Sequence, residues 1–549
     1  MTGGPEAVRP GRDGAGPAAG RPEGERAVDL AARPSTADPS TADPSTADPT
    51  AADPTAADPT MAGLAAPGRS ALDQPTPDQP APGPVEPDQP AHGPAGGPRI
   101  PLRQRLALAL YRALWWPAVP FVRRYLRRRA RKDPAYGAHM EERFGRGAPF
   151  AATVWVHAVS LGEMRSAVPL VRALLDRGER VVTTHLTPAG RRAAETAFPA
   201  EIAEGRLAVR YMPFELGPAW RRFLAARPKL GLSMEIEIWP VMIAEAVRAG
   251  VPFYLCNSQI PERSFARAQA WAPWIGHPVR MVTGVMAKSD RMARRFRALG
   301  APDVRVTGEL RFDQPVPPAL LDAAAAVMAG PAGAALRARR VVVLASVVEG
   351  EDATMLAAIR AVQAGLPPGA APLFVYVPRA PERFAGVGDA LEAAGQRVLR
   401  RSAALDADLR LAAPEALAGA DILLGDSLGE MYFYLALADL VVVGGGFVDK
   451  GAHNVIEPFA LRKPVLVGPH VWTIEYPGRE AEAAGVMRIC ADAPALAGAI
   501  AGLLQAPEEL AALAARTEEF FADHAGATAR CLAVLAPLLG PAGEKESGP

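Results

Sequence analysis

The sequence predicts an α/β protein made of two parallel-sheet halves in succession, preceded by a segment with no means of building a core. Three observations lead there. From about residue 150, short apolar runs alternate with helical spacings, the mark of parallel strands covered by helices on both faces. The alternation lapses over 314–338 and resumes at 341. Finally, the chain's 56 prolines and 51 glycines among 549 residues are unevenly spread, and the first hundred residues are mostly Pro, Ala, Asp, Gly and Thr with almost no large apolar side chains. Such a segment cannot offset its conformational entropy by burial, so 1–98 is expected to be disordered.

Five tandem pentads at 35–59 carry no apolar face and read as low-complexity linker. The first thirty residues contain no apolar core of a secretory signal. Residues 99–148 differ. Leu106, Leu108, Leu110, Leu114, Trp115, Trp116, Val119, Phe121 and Val122 form an apolar stretch interrupted by Pro117 and Pro120, and the basic run 123–132 follows. A spanning helix needs about 20 mostly apolar residues. Aromatics beside a dense basic run suit instead a helix lying at an anionic membrane surface. The alternative is a core helix with a solvated basic face.

In the first half, 149–315, strands are expected at 153–159, 180–184, 207–211, 229–234, 252–256, 282–287 and 304–306. In the second, 339–538, they fall at 341–345, 372–377, 396–399, 421–424, 439–443 and 464–467. Residues 316–338 read as a linker and 539–549 as a tail. Two Rossmann-like halves facing a cleft make the GT-B architecture. Sixty basic against fifty-nine acidic residues leave a formal charge of +1, which excludes a global nucleic-acid footprint. Cys256, Cys490 and Cys531 are too scattered for a disulfide scaffold or a Cys-rich zinc site, and no metal or other cofactor is expected.

Ligands of such sheets bind outside the carboxyl ends of the strands, so the loops there carry the candidates. His157–Met164 leaves a strand and opens a helix. Ser160 and Gly162 allow an anion near the helix N-terminus, and Glu163 is placed to act as a general base or merely to complement the helix dipole. Glu235 and Glu237 lie two apart at the next strand end, facing the same way. Arg311 either faces an anionic substrate or pairs with Asp313. In the second half, Ser346 and Glu349 follow a strand, and Arg379 stands where a phosphate would accept a bidentate contact. Gly444, Gly445 and Gly446 permit close approach to the backbone. His453, Asn454 and Glu457 follow, the last suited to a ribose.

Together the segments HAVSLGE at 157–163, MEIEIWP at 234–240, GELRFD at 308–313, PRAPERF at 378–384, GDSLGEM at 425–431 and GAHNVIEPFALRKPVLVGPH at 451–470 resemble the bacterial Kdo transferases, over about 104–537. These attach 3-deoxy-D-manno-oct-2-ulosonic acid (Kdo) to the lipid A precursor. The resemblance implies an inverting, metal-independent GT-B enzyme using CMP-Kdo as donor at the cytoplasmic face of the inner membrane. It implies Glu163 as general base, with Glu235 and Arg311 assisting the transition state. It also implies Pro378, Arg379, Leu428, Gly429, Glu430, Asn454, Val455, Ile456 and Glu457 around the CMP, and Ser160, Gly162 and Glu237 on the acceptor side. The chain departs from the family pattern at Val348 and Ala380, where the family has His, and at Arg311, where it has Lys. The residues alone also admit a GT-B enzyme acting on a UDP-sugar, or a non-catalytic membrane-associated scaffold.

Overall fold

The computed structural model describes residues 101–541, except Pro149 and Pro368. The expected extension 1–98, with its pentads, and most of the 539–549 tail lie outside the described residues.

The first sheet contains β1 (Val154–His157), β2 (Val181–His185), β3 (Leu207–Tyr211), β4 (Leu230–Met234), β5 (Phe253–Ser258), β6 (Gly284–Ala287) and β7 (Val304–Val306). Their order is β3-β2-β1-β4-β5-β6-β7, parallel throughout. The second contains β8 (Val341–Val347), β9 (Leu373–Pro378), β10 (Val398–Arg400), β11 (Ile422–Leu424), β12 (Leu440–Val443), β13 (Val465–Val467) and β14 (Met487–Ile489). It is again all parallel, in the order β10-β11-β9-β8-β12-β13-β14. Every residue of β1, β4, β5 and β12 is buried, as strands covered on both faces must be. Strand order reverses between β1 and β4 in one sheet and between β8 and β12 in the other, which opens a crevice at those carboxyl ends.

Three expectations are corrected. Residues 316–338 are no loose linker. They form helices Pro318–Ala329 and Pro331–Arg339, whose Ala324, Val327, Ala332 and Leu336 join the core of the second half. Their Ala-rich faces bury without producing a strong apolar period. The last helix, Ala527–Leu539, leaves the second half: Ala527, Cys531, Leu535 and Leu539 pack with Val154, Val156 and Met164 of the first. Its i, i+4 apolar row shows that it packs, and says nothing about against which half. Finally, Pro117 and Pro120 do not interrupt the segment before the first sheet; helix Leu102–Arg129 runs through both.

That helix is fixed to the first half at intervals. Gln104 Nε2 donates to the His277 carbonyl at 3.1 Å, and Arg112 Nη2 pairs with Glu245 Oε1 at 2.8 Å. Its other side shows Leu102, Leu106, Leu110, Leu114, Trp116, Phe121 and Tyr125 to solvent. Trp274 and Ile275, at the end of the adjacent helix Glu262–Ile275, are exposed as well.

Candidate active site

Glu163 stands on the first turn of helix Leu161–Asp176, directly after β1. Ser160 caps that helix, its Oγ accepting from the Glu163 amide at 3.4 Å. The Glu163 carboxylate reaches back to accept from the Ser160 amide at 3.2 Å and from the Val159 amide. This reciprocal capping box locks the side chain, which is only 3 % exposed. Burial, reinforced by the nearby charges of Glu237 and Glu235, pushes the Glu163 carboxyl well above its ordinary range, against the pull of the two amides. When deprotonated the group is a basic carboxylate.

Glu235 and Glu237 lie beyond β4 on a turn rather than along the strand, and Glu235 adopts φ 55°. This left-handed backbone is uncommon for a side chain of its size and belongs to sites that over-determine it. Glu237 comes within hydrogen-bonding reach of Glu163 and accepts from Trp239 Nε1 at 2.6 Å. Burial raises its carboxyl to about 7, with Glu235 adding to the rise.

Glu235 faces a cation cluster. Its Oε1 accepts from Arg311 Nη2 at 3.1 Å and from Ser166 Oγ at 3.4 Å, and Lys288 Nζ lies 3.7 Å away. Arg311 Nε donates to Ser166 Oγ at 2.7 Å. Pairing of Arg311 with Asp313 does not occur: Asp313 accepts from the Gly526 and Thr528 amides at 2.6 and 2.5 Å, where the chain returns to the first half.

The second half meets this cluster with Glu457. Burial raises its carboxyl, while a hydrogen bond from Asn454 and the charges of Arg165, Arg311 and Arg379 oppose the rise. Two of those arginines come from the first half, so both halves face a common cleft. Asn454 Oδ1 also accepts from the Ile456 amide at 3.0 Å, ordering the 454–457 turn. Arg379 is exposed, its amide bonded to the Val347 carbonyl at 2.9 Å. Glu430 is held by Arg401 at 2.7 Å and by Tyr434 Oη at 2.9 Å, so its carboxylate orders the 428–430 loop. Leu428 is 70 % exposed at the tip.

The glycine run is packed closely against its own half. A Cβ on Gly444 would meet the Ser346 carbonyl at 2.5 Å, and one on Gly446 would meet the Gly468 amide at 2.9 Å. Side chains are excluded there by neighbouring loops of the same half. Glu351, which the sequence reading passed over, binds these loops together. Fully buried, it accepts from the amides of Val348 at 3.0 Å, Gly445 at 2.8 Å and Phe447 at 2.9 Å. Its acidic position before a helix was the available signal, but two of its three partners, Gly445 and Phe447, lie almost a hundred residues away. Glu349 and Lys450 form an exposed pair at 3.7 Å. Val348 is buried, and Ala380 begins the turn Pro381–Arg383. His157 and His185 are buried and hydrogen-bonded on β1 and β2, burial lowering them to about 3 and 4. Among the described residues no group of three His, Cys, Asp or Glu is arranged to hold a metal. A cavity of about 540 Å³ between helices Asp352–Gly365 and Phe384–Ala393 contains none of the predicted site residues.

Two all-parallel sheets whose carboxyl ends meet across a cleft, one side presenting a buried acid cluster and the other a loop-lined Glu457, define the GT-B fold of glycosyltransferases. The family model of 3-deoxy-D-manno-octulosonic-acid transferase (kdotransferase) matches residues 138–314. The 3-deoxy-D-manno-octulosonic acid transferase of Bordetella pertussis is 40% identical over 432 residues, 77% of this chain and 97% of that protein. Its counterpart in Haemophilus influenzae is 29% identical, over 74% of this chain and 93% of that one. Among solved structures, the C-terminal CMP-Kdo binding domain of WaaA from Acinetobacter baumannii is 26% identical, over 37% of this chain and 98% of that chain, with a TM-score of 0.33. The chain belongs to the 3-deoxy-D-manno-octulosonic acid transferase family, and it is a glycosyltransferase.

Proposed function

We propose that the chain transfers Kdo from CMP-Kdo to the 6-hydroxyl of a lipid A precursor, with inversion, at the cytoplasmic surface of the inner membrane. The observation that carries the chemistry is Glu163: a locked, buried carboxylate raised by burial and by Glu237 and Glu235, at the strand end where the sheet order reverses. Deprotonated, it takes the proton of the acceptor hydroxyl as that oxygen attacks the anomeric carbon. The bond to the CMP phosphate breaks in the same displacement, which inverts the centre. The reading is metal-independent: guanidinium groups of Arg379, Arg311 and Arg165 around Glu457 supply positive charge for the anionic donor and its leaving phosphate. Glu457 accepts from the ribose hydroxyls, and the 428–430 loop closes over the nucleotide. The first half is then the acceptor side and the second the donor side.

The exposed leucine stripe of helix Leu102–Arg129, continued by Trp274 and Ile275, suits the surface of a bilayer. Among the described residues no single helix is long and apolar enough to cross one. Arg127 and Arg128 lie exposed at its end, where an anionic leaflet attracts them. Incubation of purified protein with CMP-Kdo and tetraacylated lipid A precursor, read by mass spectrometry, tests the reading. One or more added Kdo masses support it. Absence of any added mass, with a UDP-sugar consumed instead, overturns it.

A further inference from the structure

Four ions at the carboxyl ends of β4, β6 and β7 form a closed ring of alternating sign. Lys288 Nζ lies 2.6 Å from Glu309 Oε2 and 3.7 Å from Glu235 Oε1, and Arg311 lies 3.1 Å from Glu235 and 4.0 Å from Glu309. The ring has a buried edge and an open one. The Lys288 and Glu309 side chains are each 2 % exposed, whereas that of Arg311 is 30 % exposed. Asn257 Nδ2 further donates to Glu309 at 2.8 Å. Although burial works to raise the Glu309 carboxyl, Lys288 and Arg311 outweigh it and hold it below its ordinary value, so it is a lasting anion. Without Lys288, that buried charge would have only Arg311 as its cation and would draw the guanidinium down from the cleft.

We propose that Lys288 is a positioning residue: by engaging Glu309 it keeps the Arg311 guanidinium at the open edge of the ring, held by Glu235 and Ser166, where it meets the anionic donor. Lys288 itself touches neither donor nor acceptor, and acts through Arg311. The inference rests on the transfer reading above, whose own fate is decided by wild-type turnover alone. The proposal is decided by ratios among variants.

The test is a cycle of Lys288→Met, Glu309→Gln and Arg311→Gln in the full chain. Turnover is measured first, and then CMP-Kdo affinity by calorimetry without acceptor, which repeats the cycle even if turnover is absent. Lys288→Met is expected to slow transfer or weaken donor binding at least about tenfold, a coupling typical of neighbouring charged groups. In the Arg311→Gln background the same change should cost less than about threefold, because the residue it acts through is gone. Glu309→Gln should stay close to wild type, and combined with Lys288→Met it should restore function. An ion pair that only holds the fold would behave otherwise: both single changes would impair alike, and Lys288→Met would cost the same factor in both backgrounds. Either result overturns the proposal. If Lys288→Met alone does not fold, impairment by Glu309→Gln on the scale of Arg311→Gln overturns it equally.

Discussion

Replacing Glu163 separates its two duties, base and cap. In Glu163→Gln the amide oxygen still accepts from the Val159 and Ser160 amides, and Gln is an accepted partner in a capping box. It cannot accept a proton. Loss of a positioned general base costs about 100- to 10,000-fold in rate, so turnover should fall by that factor with CMP binding and fold retained. Glu163→Ala removes the acceptor too, and each buried amide left unsatisfied costs about 1–3 kcal/mol. The Ala variant should therefore be as slow as Gln but measurably less stable. The sign of the pH dependence follows from the raised carboxyl. Folding favours its neutral form, so that contribution to stability is whole below the ordinary value of 4.5 and is lost as pH rises through the raised one. Glu163→Gln should thus gain on wild type as pH rises. Transfer by mass spectrometry and thermal unfolding across pH check both halves. Near-normal turnover in Glu163→Gln would refute the assignment of the base, and equal stability of the two variants would refute the cap.

Three further outcomes are expected. Glu237→Gln removes a like charge beside Glu163, so the acid limb of the rate profile should move to lower pH; movement upward would contradict the shared burial of the pair. Glu351→Gln leaves one acceptor atom where two oxygens now serve three amides, costing about 1–3 kcal/mol of stability and weakening CMP-Kdo binding in calorimetry. Neutralising Arg127 and Arg128 should weaken binding to anionic vesicles at low salt by about 2 kcal/mol, near 1 kcal/mol for each. Neutralising Arg129 should matter less, since it stacks 4.9 Å over Tyr136.

The two sheets were legible because central parallel strands such as β1, β4, β8 and β12 are covered on both faces and read as apolar runs, and thirteen of the fourteen strands overlap the expected ranges. β14, Met487-Arg488-Ile489, was not expected, although β7, Val304-Arg305-Val306, has the same length and polar centre and was; so short a pattern does not separate strand from loop. At the site, sequence could point to strand ends, and therefore to Glu163, Glu235, Arg311, Arg379 and Glu457. It could not reveal what holds them. Gly445 and Phe447 are brought to Glu351, and Glu235 and Glu309 to Lys288, from other loops by the fold, and no local period records such pairings. The glycine run has a packing role that its composition does not record. Its composition fits close approach of a ligand, yet Gly444 and Gly446 are crowded by Ser346 and Gly468 of the same half.

The homecoming of helix Ala527–Leu539 bears on how the chain is made. Its Cys531 and Leu535 complete a core begun by β1, nearly four hundred residues earlier. A ribosome delivers the first half almost entire, yet that half cannot close until residues 527–539 have been made. Meanwhile the apolar stripe of Leu102–Arg129 has long since emerged. During synthesis the nascent protein thus displays a greasy flank and an unfilled seam together, the state in which multidomain chains are most prone to aggregate. Deleting helix Ala527–Leu539 would make that state permanent, and the damage would fall on the half synthesised first.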